Sequence, residues 1–154
     1  MTFCALAAIG MFSTATMATD LPDMKAGLWE SSTIVGKTPQ QPVHATVCMN
    51  NDAYRRLNEK ISKNPNLSCK NISSQHVGPT YTTTTQCQFG NGKPSVSTTA
   101  LTMSGNTAYH SETRDQDHSV EMMIDAKFVG VCPSGMKLGD MTGPDGKIMM
   151  NVLE

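Results

Sequence analysis

The sequence has few aromatic and few charged side chains, and its charges nearly cancel. Aromatic residues make up 5% and charged residues 16% of the 154 residues, and 12 Lys and Arg stand against 13 Asp and Glu. A chain with this balance lacks the basic surface that binds the phosphates of nucleic acids or anionic lipid headgroups. We therefore expect no nucleic-acid partner.

Several motifs that carry chemistry are also missing from the sequence. No C-x-x-C pair is present, which disfavours a zinc site built on cysteines. No G-x-S-x-G elbow is present for a nucleophilic serine. The stretch GNGKPS at 90–95 lies between two predicted strands, whereas a phosphate-binding loop joins a strand to a helix. We expect no cofactor, no bound metal and no enzymatic activity.

The first 18 residues, MTFCALAAIGMFSTATMA, carry no charged side chain and are mostly small or apolar. This pattern predicts an export signal that ends at a small-residue cleavage site, after Ala15 or after Ala18, and that removes Cys4. A transmembrane anchor is the alternative, but the apolar run is too short and too interrupted for one. We expect a signal peptide over 1–18, a single domain over 19–154 and no stable membrane anchor.

Four cysteines remain after the signal, and an even number in an exported chain predicts two disulfides. Cys69 and Cys87 lie equally far from Gly78 on either side. In a hairpin centred there, with a three- or five-residue turn, they face each other on neighbouring strands near disulfide distance. Cys48 is then left to pair with Cys132, which would join the C-terminal end to the strand before the helix.

The rest of the chain alternates β-rich segments with turn residues. The predicted strands span 24–36, 43–48, 68–77, 80–90, 94–103, 107–114 and 119–130. Apolar residues recur at helical spacing over 50–64, and Pro65 ends that helix. Because short connections favour antiparallel neighbours, we expect a mainly β fold. It is a single antiparallel meander or partial barrel of about seven strands, with one short helix after the second strand. The Gly- and Pro-rich end, 133–154, is predicted to be irregular.

Four short motifs occur in order along the chain: AGLWESST, ATVCM before the helix, SCK and TQC in the hairpin, and VGVCPSGMKLGDM. Together they resemble the bacterial exported family called domain of unknown function 3617, over about residues 24–151. The resemblance implies a small, cysteine-bridged protein that is secreted to the periplasm. It implies no established activity.

A curved antiparallel sheet has a concave face on which large side chains can bind a ligand. The candidates are Trp29, Tyr81, Phe89, Tyr109 and Phe128, together with Leu101. The alternative is that these residues form the core, because the chain has few other large side chains. The leading expectation is a non-catalytic binding or interaction domain, periplasmic or secreted, for a small apolar ligand or an envelope protein.

Two other functions stand as alternatives. Thioether and imidazole ligands suit copper in the periplasm. The candidates for such a site are Met122, Met136, Met141, His110 and His118. The competing interpretation is core packing, since Met122 and Met123 would lie on opposite faces of one strand. An enzyme is the third possibility, with His110 and Glu112 on one strand face as an acid/base pair.

Overall fold

Nine β-strands and one α-helix form from the residues that the computed structural model describes, which are 21–36, 41–62 and 66–154. In chain order they are β1 (Gly27–Val35), β2 (Val43–Met49), α1 (Asn51–Ser62), β3 (Leu67–Val77), β4 (Thr80–Phe89), β5 (Ser95–Ser104), β6 (Ala108–Asp115), β7 (Val120–Gly130), β8 (Asp140–Thr142) and β9 (Ile148–Asn151). The predicted mainly β fold, with a short helix after the second strand, is confirmed. The predicted signal peptide, its cleavage sites, Cys4 and Pro65 lie outside the described residues.

The strands form one antiparallel sheet in the order β3-β4-β5-β6-β7-β1-β2-β8-β9. The meander from β3 to β7 follows the chain, because short turns join its strands. The hairpin of β1 and β2 then joins the sheet through β1, which pairs with β7 over almost its whole length. This pairing brings together, in the middle of the sheet, two strands that are far apart in sequence.

The prediction of about seven strands and an irregular C-terminal end is wrong, because β8 and β9 lie in that end. They have only three and four residues, too few for a visible alternation of polar and apolar side chains. β8 forms because the edge of β2 offers it partners, with Thr46 opposite Thr142 and Val47 opposite Met141. These strands therefore form because a neighbouring strand edge offers hydrogen-bond partners, and not because their own sequence has a strand pattern.

The hairpin of β3 and β4 contains a β-bulge that the sequence did not reveal. Its turn has two residues and begins at Gly78, whose φ of 58° suits glycine. This turn alone would set Cys69 opposite Gln88. Ile72 is an extra residue in β3 and shifts the register by one, so Cys69 faces Cys87. The predicted turn length is therefore wrong, whereas the predicted cysteine pair is confirmed.

Both predicted cysteine pairs are disulfides in the structure. Cys69 and Cys87 have Cα atoms 4.1 Å apart and link neighbouring strands. Cys48 and Cys132 have Cα atoms 5.7 Å apart and are separated by 84 residues in sequence. This second bridge joins the end of β2 to the segment after β7. A further contact, from the Gly139 amide to the Cys48 carbonyl, holds the C-terminal end beside it.

The core lies between α1 and one face of the sheet. Trp29 is 1% exposed at its centre, and the rings of Tyr109 and Phe128 lie 5.9 and 6.3 Å from its ring. Ala53 on α1 is fully buried against this cluster. The Asn50 side-chain oxygen caps the helix by accepting a hydrogen bond of 2.8 Å from the Ala53 amide. We call this side of the sheet the core face and the opposite side the open face.

Among the described residues, no helix has the length and apolar character that crossing a membrane requires.

Candidate functional site: a groove on the open face

A row of polar side chains crosses five neighbouring strands on the open face. Thr102, His110, Asp125, Ser32 and His44 face one another in turn on β5, β6, β7, β1 and β2. They alternate along their strands with core residues, so they point away from the core. Adjacent strands are about 4.8 Å apart, so the row places polar groups at regular short intervals.

A second row runs beside the first, two residues further along each strand. It consists of Ser104 on β5, Ala108 on β6, Lys127 on β7 and Glu30 on β1. Small side chains at Ser104 and Ala108 therefore lie next to longer charged ones. This difference in side-chain length produces a depression in the surface.

The two rows border a groove of about 620 Å³ on the open face. Its lining includes Ser32, His44, Ala108 and the charged side chains beside them. Tyr109 also borders it, although its ring packs in the core. The groove thus combines a largely apolar lining with hydroxyl, imidazole, carboxylate and ammonium groups at its border.

Two side-chain pairs lie in the groove. One is an ion pair of opposite charges, and the other joins a histidine to a carboxylate. The Nζ of Lys127 lies 3.1 Å from Oε2 of Glu30, and Nδ1 of His110 lies 2.8 Å from Oδ1 of Asp125. These side chains are between 43% and 72% exposed, so water screens each pair and its net contribution to stability is small. A charged ligand can therefore replace either partner at low cost.

The predicted acid/base pair of His110 and Glu112 does not form a hydrogen bond in the structure. Both residues lie on the open face of β6, as expected, but His110 bonds to Asp125 and Glu112 bonds to Arg114. Asp125 was not predicted as a partner, because its contact with His110 depends on the register of β6 and β7.

Most of the predicted ligand residues pack in or against the core, and Phe89 is the exception. Trp29, Tyr109 and Phe128 pack together in the core. Tyr81 stacks on His76, with ring centroids 4.0 Å apart. The remaining candidates differ most: Phe89 is 72% exposed at the end of β4, whereas Leu101 is buried. Of these candidates, Tyr109 borders the groove and the others do not.

Burial raises the pKa of Tyr109 to about 12, and the nearby Tyr54 adds to this effect. Burial also raises the pKa of Tyr54, which a hydrogen bond with Asn58 partly offsets. Both phenols therefore stay neutral at physiological pH. They act as packing residues rather than as acids or bases.

The structure also separates the weak metal candidates. Met122 lies on β7 with its side chain on the core face, whereas His110 is on the open face of β6. Met141 is on β8, three strand spacings from β7, or about 14 Å. His118 lies in the turn before β7, and Met136 lies in the segment after it. Within the described ranges, no group of three or more His, Cys, Asp or Glu residues could hold a metal ion.

Sequence comparison now identifies the family. A model described as protein of unknown function (DUF3617) matches residues 24–132, well over half of the chain. The chain belongs to this family. The match includes both disulfides and every strand that borders the groove, and it ends before β8 and β9. No curated protein and no solved structure matches the chain significantly.

Proposed function

We propose that this DUF3617 protein is an exported, non-catalytic binding domain whose ligand occupies the open-face groove. The observation that carries the proposal is the meeting of polar side chains from five strands around one depression of about 620 Å³. A volume of that size suits a small ligand or part of a larger one. The core face is already occupied by α1 and the aromatic cluster.

Export is supported by the two disulfides, because such bonds persist in oxidising compartments. The uncharged apolar pattern of residues 1–18 agrees with an export signal. The periplasm or the cell exterior is therefore the proposed location, and an envelope molecule is the proposed class of ligand.

A role in binding rather than catalysis is supported by the exposure of the groove. His110 is 49% exposed and Asp125 is 72% exposed, whereas catalytic groups gain strength from sites that exclude water. The groove has charged and hydroxyl groups beside a largely apolar lining, so it suits a ligand, or a surface of an envelope protein, that has both polar and apolar parts.

Native mass spectrometry of the protein isolated from the envelope of cells that produce it tests this proposal. We expect a mass that is present under native conditions and lost under denaturing ones. Ala108→Phe, which fills the groove, should remove the bound mass. Thr82→Phe, on the open face of β4 outside the groove, should retain it. A native mass equal to that of the bare polypeptide, or equal binding by both variants, would contradict the proposal.

A further inference from the structure

We infer that the groove binds a short peptide, or a peptide end, that carries a cationic group and a carboxylate about two residues apart. The inference rests on the proposed function and assigns its ligand class. It comes from the arrangement of charges in the groove, where positive and negative side chains alternate both along β7 and across the neighbouring strands.

Along β7, Asp125 and Lys127 lie two residues apart on the open face. Their Cα atoms are therefore separated by about 7 Å. Across the strands, Lys127 contacts Glu30, and Asp125 contacts His110. A ligand with a carboxylate at one end and an ammonium at the other can satisfy Lys127 and Asp125 together. An extended dipeptide with free ends spans about the same 7 Å.

The neutral groups of the groove suit the middle of such a ligand. Hydroxyls of Ser32, Thr102 and Ser104 and the imidazole of His44 border the same depression. These groups can donate and accept hydrogen bonds, as a peptide group requires. The groove thus offers charges for the ends of a dipeptide and hydrogen-bonding groups for its amide.

The same lining disfavours two other ligand classes. Sugar rings commonly stack on aromatic side chains, but Tyr109, the aromatic residue bordering the groove, packs its ring in the core. A wholly apolar chain would cover the Lys127–Glu30 and His110–Asp125 pairs and would not replace the hydrogen bonds that they make to water. A ligand with paired opposite charges avoids both problems.

Nuclear magnetic resonance titration with dialanine tests the inference, since the method detects weak binding and locates it. The probes are dialanine with free ends, its N-acetylated form, its C-amidated form and maltotriose, each at up to about 10 mM. We expect free dialanine to shift the amide signals of β1, β6 and β7 around the groove. Blocking either end should weaken binding roughly two- to fivefold, the effect of an exposed charge pair, and added salt should weaken it too.

Variants locate the two charges that the inference requires. Lys127→Met and Asp125→Asn should each weaken dialanine binding roughly two- to fivefold. Their side chains are 65% and 72% exposed, so both variants should fold. Lys70→Met is the matched control, because Lys70 is exposed on the same face of β3 and lies outside the groove. Binding by this variant should be unchanged.

Equal binding of the free and blocked dialanines would overturn the inference. Binding of maltotriose alone at the groove, or shifts confined to residues outside it, would overturn it too. If dialanine fails while Ala108→Phe removes a native bound mass, the peptide inference fails and the binding domain stands. If dialanine fails and no native mass is found, both proposals fail.

Discussion

Trp29 and Phe89 show how differently residues of similar chemistry are used in this protein. Both belong to the core face by strand alternation, but Trp29 is 1% exposed and Phe89 is 72% exposed. Periodicity in a sequence predicts the face on which a side chain lies. It does not predict whether a second layer covers that position. For this reason the aromatic residues could be identified from the sequence as candidates, but those in the core could not be distinguished from those on the surface.

Replacing these two residues should therefore have opposite consequences for stability. Trp29→Ala should lower the free energy of unfolding by about 3–5 kcal/mol, because it leaves a cavity at the centre of the core. Phe89→Ala should change it by no more than about 0.5 kcal/mol. Urea unfolding followed by circular dichroism measures both. Similar losses for the two variants would show that the described core is incorrect.

Tyr109 gives a pH-dependent test of the same core. Its pKa is about 12 in the folded protein and 10.0 in an unperturbed tyrosine. Because the folded-state pKa is raised, the stabilisation is complete below pH 10 and is lost as the pH rises towards 12. A shift of this size corresponds to at most about 3 kcal/mol.

Urea unfolding at a series of alkaline pH values measures this effect. The wild-type protein should lose stability steadily as the pH rises from 10 towards 12. The Tyr109→Phe variant should lose less stability, since it has no phenol at position 109 to ionise. The variant should still lose some stability with pH, because burial also raises the pKa of Tyr54. Identical declines in the two proteins would contradict the burial of the Tyr109 hydroxyl.

At the scale of strands and helices, long elements bounded by turn residues were predictable, and short or irregular elements were not. Turn residues marked the ends of β3 to β7, and the helix found over Asn51–Ser62 lies within the predicted 50–64. The bulge at Ile72 adds one residue without any distinctive sequence. β8 and β9 depend on the edge of β2, which no local pattern describes. The cysteine pairs were predicted correctly because four cysteines allow only three connectivities, and because the bulge at Ile72 restores the register that the wrong turn length had assumed.

The two disulfides should differ in how much they stabilise these elements. In the chain-entropy model the stabilisation grows with the number of residues enclosed, which is 84 for Cys48–Cys132 and 18 for Cys69–Cys87 by sequence separation. Replacing both cysteines of a pair by alanine should cost about 4–5 kcal/mol for the first bridge and about 3 kcal/mol for the second. Urea unfolding of the two double variants measures the difference. A larger loss for the Cys69–Cys87 variant would contradict this ranking.

At the scale of the whole molecule, the groove exists because β1 pairs with β7. That pairing brings Ser32 opposite Asp125 and Glu30 opposite Lys127, although nearly a hundred residues separate them in sequence. The predicted meander described strands that follow one another, so it carried no information on this contact. The sequence therefore predicted the fold class and the two bridges, whereas the site depends on a long-range register that only the structure reveals.

The intact mass of the protein is the sharpest test of whether it is an exported domain held by two disulfides. The protein should be recovered from the periplasm or the medium and measured under denaturing conditions, with and without a reductant. We predict that the chain begins after Ala15 or after Ala18, and that reduction adds about 4 Da, since each disulfide lacks two hydrogen atoms. A chain that keeps residues 1–15 and has five free thiols, Cys4 included, would contradict this prediction.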